Sequence, residues 1–108
     1  MMPIALLNAP VITAMGTYRM RPVRLRVAAR LVRQRGFVSA IGHKATADLL
    51  ADLLGVDCPA TRIDFRQEAG QHALVFRLDR RLPEGRVLQS RQDIEHIGYS
   101  MVLLTRLY

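Results

Sequence analysis

Eleven residues, Lys44-Ala-Thr-Ala-Asp-Leu-Leu-Ala-Asp-Leu-Leu54, constrain the fold more than any other stretch of this chain. The leucines at 49, 50, 53 and 54 fall on one side of a 3.6-residue period with alanines beside them, and Gly55 follows as a natural stop. A helix with so apolar a stripe must be laid against a second layer. The chain supplies that layer as strands. Residues 72–79 alternate, with Leu74, Phe76 and Leu78 facing one way and Val75, Arg77 and Asp79 the other. Residues 3–7 read as a first strand and residues 101–107 as a terminal one. After Pro59, Ile63 and Phe65 oppose Arg62, Asp64 and Arg66, the pattern of a further half-buried strand, with residues 67–71 as a hairpin loop.

Two more helices complete the reading. Leu25, Ala28, Ala29 and Val32 recur at helical spacing, Arg26, Arg30 and Arg33 line the adjoining face, and Gly36 closes the turn. Residues 90–97 form a short helix with Ser90 as N-cap and Asp93 three residues later. Residues 8–18 are a loop punctuated by Pro10 and Gly16, residues 37–41 a short apolar stretch, and residues 80–86 a loop carrying Pro83 and Gly85. The expected architecture is a single α+β domain over residues 1–108, a mixed sheet with two or three helices packed on it.

Composition narrows the function classes. Half of the residues are hydrophobic and 6% aromatic, which suits a packed core of aliphatic side chains. The single cysteine, Cys58, has no partner for an internal disulfide, and His43, His72 and His96 lie far apart with no zinc-ligand spacing. A reducing cytoplasm, no structural metal and no cofactor are the expectation. The apolar start of the chain lacks a leading basic region and is broken by Pro3 and Pro10, and no run reaches membrane-spanning length, so no membrane partner is expected. The net charge of +7 is concentrated: seven arginines and no acid lie between residues 19 and 35, while the other nine cations balance nine acids. Such a block is either a solvated helix face or an attractor of polyanions.

Against this background the segment Ser39-Ala-Ile-Gly-His-Lys-Ala-Thr46 raises a chemical question. His43 directly precedes the helix, where backbone N–H groups lack intrahelical partners and anions bind. Gly42 permits close backbone approach, and Thr46 offers a hydroxyl. Histidine is also the side chain whose ordinary pKa lets it donate a proton near neutrality. A polar residue closing a loop is the structural alternative. His72, at a strand start, and His96, beside Glu95, read as structural. The loop Arg81-Leu-Pro-Glu-Gly-Arg86 has two readings that spacing leaves open: a solvated turn with a surface ion pair, or an arginine that steadies a phosphoryl group beside a carboxylate that acts on a nucleophile.

Six blocks in order, Leu6-Leu-Asn-Ala-Pro10, Phe37-Val-Ser-Ala-Ile-Gly-His43 with Ala45-Thr46, Thr61-Arg-Ile63, Ala73-Leu-Val-Phe-Arg-Leu78, Arg81-Leu-Pro-Glu-Gly-Arg-Val-Leu88 and Leu103-Leu-Thr-Arg-Leu107, resemble the ring nucleases first known as viral anti-CRISPR proteins against type III systems. The resemblance implies a cytoplasmic homodimer that cuts cyclic tetra-adenylate into linear di-adenylates without a metal, by attack of a ribose 2′-hydroxyl on the adjacent phosphorus. It implies that His43 is the general acid on the leaving 5′-oxygen, that Glu84 assists at the nucleophile and that Arg81 contacts the phosphate. It further implies that Asn8 and Arg62 line the ligand cavity, with Gly42 and Thr46 beside His43, and that no DNA partner is needed. Two departures stand out: Ala45 and Val11 occupy places where archaeal viral members carry serines. The rival expectations are a non-catalytic nucleotide- or RNA-binding module and a protein that blocks a CRISPR component by contact.

Overall fold

The computed structural model describes residues 2–9, 12–79 and 91–108. Eight elements run in the order β1 (Ile4–Leu7), β2 (Tyr18–Val23), α1 (Leu25–Arg35), β3 (Phe37–Ser39), α2 (Lys44–Leu54), β4 (His72–Leu78), α3 (Arg91–Ile97) and β5 (Tyr99–Arg106). The strands form one five-stranded sheet in the order β2-β5-β4-β1-β3. β1 pairs in parallel with both β3 and β4, whereas β5 is antiparallel to β4 and to β2. The expected α+β architecture, a mixed sheet with two or three packed helices, is the one observed, with three helices among the described residues.

Strand alternation divides the core into two. Ile4, Leu6, Leu74, Phe76, Met101 and Leu103 point to the helices and bury against Ala28, Ala29 and Val32 of α1, the leucines of α2 and Ile94 of α3. Ala5, Leu7, Ala73, Val75, Val102 and Leu104 point the other way, where Tyr18, Ala40 and Phe65 cover them. The α2 leucines expected to be buried are so, Leu50 and Leu54 at 1% exposure. Each such side chain contributes about 1.5–3 kcal/mol relative to leaving it in water. Four of them in one helix root its axis firmly and so fix where its first residue stands.

The structure corrects two expectations. Residues 18–23, where the sequence suggests a loop to Tyr18 and no strand, form an edge strand, β2, paired with β5 from Tyr18–Arg106 to Val23–Met101. Pro22 is tolerated there because an edge strand can leave one side of its ladder unmade. Conversely, the alternating segment around residues 62–66 joins no sheet, and residues 67–71 are therefore not the loop of a hairpin. That segment instead crosses the second face of the sheet as extended chain. Thr13 Oγ1 donates to the Phe65 carbonyl at 2.9 Å, and Gln67 Nε2 donates to the carbonyls of Gln71 and Leu104 at 2.7 and 2.9 Å. Arg106 clamps it from the far side, donating from its guanidinium to the Gln67 carbonyl at 2.6 Å. Close approach there also demands Gly16: a Cβ at that position would lie 2.4 Å from the Tyr108 carbonyl oxygen.

Candidate functional site

The parallel strands β1, β3 and β4 all end at one edge of the sheet, the place where ligands enter open sheets of this kind. Asn8 follows β1 there and is exposed. The backbone N–H of Ala40 donates to the Leu6 carbonyl at 3.0 Å, so the ladder between β1 and β3 runs up to the turn that carries Gly42 and His43. His43 is the N-cap of α2 with extended backbone (φ −99°, ψ 122°), and its carbonyl accepts the Ala47 N–H at 3.0 Å. Its side chain makes no capping hydrogen bond and is exposed. An N-cap ordinarily uses its side chain to satisfy the N–H groups of the first turn. Here that function is given up, and no acidic residue stands in the first turn to replace it. Both the imidazole and the positive end of α2 are thereby open to an anion.

A second segment is laid over this turn. Ser39 Oγ donates to the Pro59 carbonyl at 2.7 Å, and the Thr61 N–H donates to the Ile41 carbonyl at 2.8 Å. These bonds hold Arg62 directly across Gly42: a Cβ on residue 42 would meet the Arg62 Cγ at 3.0 Å. Gly42 is therefore needed for close approach. Asn8, Gly42, His43, Thr46 and Arg62 thus gather at one end of the sheet, with Thr46 half-buried in the first turn of α2. Arg81 and Glu84 lie outside the described residues, as does Val11.

Two adjoining hollows extend from this turn across the crossing segment. One, of about 350 Å³, is lined by Ala40, Gly42, Arg62, Ile63 and Asp64. The other, of about 470 Å³, is lined by Thr13, Ile63, Asp64, Phe65 and Arg66. Asp64 and Arg66 had not been singled out from sequence. Their only signal in sequence is the alternation of charges with Ile63 and Phe65, which has the period of a strand. Lys44 pairs with Asp48 at 2.8 Å on the solvent side of α2, both largely exposed, a bond that holds the lysine along the helix surface. Among the described residues no group of His, Cys, Asp and Glu side chains is arranged to hold a metal ion.

Cys58 stands close by and is chemically quiet. Burial pushes its thiol pKa up, a hydrogen bond with Ser39 opposes this, and the nearby Asp57 and Asp48 carboxylates raise it further. A protonated, buried thiol is a packing group rather than a nucleophile. Among the described residues no helix is long and apolar enough to cross a membrane.

Comparison with known proteins adds kinship to this geometry. The family model described as STIV B116-like matches residues 4–101. The uncharacterised protein YddF of Bacillus subtilis (strain 168) is 38% identical over 108 residues, covering 98% of this chain and 99% of its own. Uncharacterised protein 26 of Sulfolobus islandicus filamentous virus is 34% identical over 83 residues, spanning 77% of this chain and 70% of its own. Among solved structures, B116 of Sulfolobus turreted icosahedral virus superposes with a TM-score of 0.74 at 23% identity, covering 96% of this chain and 99% of that one. At that identity the likeness speaks for the shared fold alone.

Proposed function

This chain belongs to the STIV B116-like family, and on that premise we propose that it is a metal-independent ring nuclease acting as a homodimer on cyclic tetra-adenylate to end type III CRISPR signalling. Its relatives occur both in a bacterium and in archaeal viruses, so the same reaction serves a cell closing its own alarm or a virus disarming one. The observation that carries the reading is the uncapped, exposed His43 at the N-terminus of α2, with Gly42 and Arg62 beside it at the strand ends.

In this reading the ribose 2′-hydroxyl attacks the adjacent phosphorus in line, the bond from phosphorus to the 5′-oxygen breaks, and His43 gives its proton to that oxygen. The products are a 5′-hydroxyl and a 2′,3′-cyclic phosphate. The ligand brings its own nucleophile, so proximity replaces an activated water. Helix-end N–H groups, Arg62 and Arg81 take up charge on the phosphoryl oxygens, and the Glu84 carboxylate accepts the proton that the 2′-hydroxyl loses. Asn8 and Thr46 add polar contacts to the nucleotides. A two-fold dimer suits a ring cut at two opposite linkages.

A second reading has its own support in the exposed arginines of β2 and α1: a module that binds nucleotide or RNA without cutting it. Incubating purified protein with cyclic tetra-adenylate in EDTA and separating the products decides between them. Linear di-adenylate supports the nuclease. Intact ring, bound with a steep salt dependence that His43→Ala leaves unaltered, supports the binding module. Intact ring without binding turns attention to direct contact with a CRISPR component.

A further inference from the structure

A second cationic constellation lies at the opposite end of the sheet from His43, separated from it by the length of β4. Strand β4 begins at His72, whose Nδ1 is 2.8 Å from Thr105 Oγ1 on β5. Thr105 pairs in turn with Arg19 on β2, so Arg19, Thr105 and His72 form one row across three strands. By alternation with Leu74 and Leu103 this row lies on the helix-facing side of the sheet. Arg21, two residues along β2, shares that side. Arg35 arrives from the fourth direction. It ends α1 immediately before Gly36, whose carbonyl accepts the Ile4 N–H at 3.1 Å, and Ile4 stands one step before the Ala5–Ala73 pair, beside His72. The charged groups acting most strongly on His72 are Arg35, Arg21 and Arg19.

We propose that Arg19, Arg21, His72 and Thr105 form a binding site for a phosphate dianion or phosphomonoester, separate from the proposed ring-cutting site and independent of that reaction. The register sets Arg19, Thr105 and His72 in one row with Arg21 beside it, and a dianion seated on that row offsets the positive charge that Arg19 and Arg21 hold next to the imidazole. Thr105 engages Nδ1, which leaves Nε2 as the ring nitrogen for a ligand oxygen. A monoester presents three terminal oxygens and two charges to such a set. An internal diester presents two oxygens and one charge, so the site favours a free or terminal phosphoryl group over a nucleic-acid backbone.

The test follows the three imidazoles by NMR while inorganic phosphate replaces chloride at constant ionic strength. The His72 resonances should shift along a saturating curve and its titration midpoint should rise, since a bound anion favours the charged ring, while His96 serves as the reference. In the double variant Arg19→Gln with Arg21→Gln, both exposed in the fold, the dissociation constant should weaken at least about tenfold. Adenosine monophosphate in place of inorganic phosphate separates the sources: tighter binding points to a nucleotide terminus, equal binding to the free ion. A His72 response that is absent, that never saturates, that survives in the double variant, or that an oligonucleotide without terminal phosphate reproduces equally would overturn the assignment.

Discussion

His43 and His72 occupy opposite ends of one sheet and differ in nearly every physical respect. His43 is exposed, stands before a helix whose first turn it leaves uncapped, and directly follows Gly42, which lines a hollow with Arg62 and Asp64. His72 is half-buried, is held by Thr105, and has its imidazole pKa pushed below the ordinary value by burial first and then by Arg35, Arg21 and Arg19. An imidazole that is open and adjacent to unpaired N–H groups suits proton delivery to a bound phosphodiester. One that is anchored among guanidinium groups suits binding. The contrast shows that residue type alone decides little; the bonds a histidine forgoes or accepts decide its work.

The largest separation between the two should come from His43→Ala. Turnover of cyclic tetra-adenylate is expected to fall by roughly two orders of magnitude or more, the scale of a lost general acid, with binding retained. His72→Gln should leave turnover within about twofold of wild type, because His72 starts β4 at the end of the sheet opposite His43. Equal losses in the two variants, measured by single-turnover kinetics, would erase the distinction.

A smaller effect is expected at Gly42→Ala. Its Cβ would press on the Arg62 Cγ at 3.0 Å, so Arg62 must shift while the backbone, which is not left-handed here, keeps its shape. Affinity for the ring should fall several-fold, on the order of 1 kcal/mol, with melting temperature little changed. A variant that binds as tightly as wild type would remove Arg62 from the ligand site.

The pH dependence of stability should distinguish the histidines without any ligand. The folded chain holds the His72 proton less tightly than the unfolded chain does. The associated stability is therefore complete above the ordinary histidine value of 6.5 and is lost as pH falls through the lower folded value. Thermal melts in chloride should show wild type losing more stability on acidification below 6.5 than His72→Gln, with the two curves parallel above it. Matching curves throughout would contradict the burial and charge described for His72. The smallest effect belongs to Asp48→Ala, which breaks the exposed Lys44–Asp48 pair and should cost only about 0.3–0.5 kcal/mol in a denaturant titration.

How far this contrast was legible in sequence depends on the range of the interactions involved. The bounds of α2, Lys44–Leu54, follow from leucine spacing and the left-handed Gly55 (φ 68°), both local signals. The position of His43 directly before the helix follows from them, and β4 is recognisable from its alternation. β2 was missed because Arg19, Met20, Arg21 and Pro22 give no apolar face, as befits an edge strand that leans on β5 alone. Residues 62–66 carry a strand-like pattern because a period of two reports extended backbone, and nothing local says whether its hydrogen bonds go to a sheet or across one. The row from Arg19 through Thr105 to His72 depends on pairing between β2 and β5, so it came into view only with the fold. The match over residues 4–101 shows membership of the STIV B116-like family; the ring-cutting reaction that the six sequence blocks imply stands as a proposal.

The claim on which the account turns is that His43 supplies a proton to the departing 5′-oxygen. Replacing that bridging oxygen of cyclic tetra-adenylate with sulfur makes a leaving group that departs as a thiolate and needs no acid. His43→Ala, crippled on the oxygen ring, should therefore cut the sulfur ring at nearly the wild-type rate. A defect of the same size on both rings would show that the imidazole does not deliver the proton.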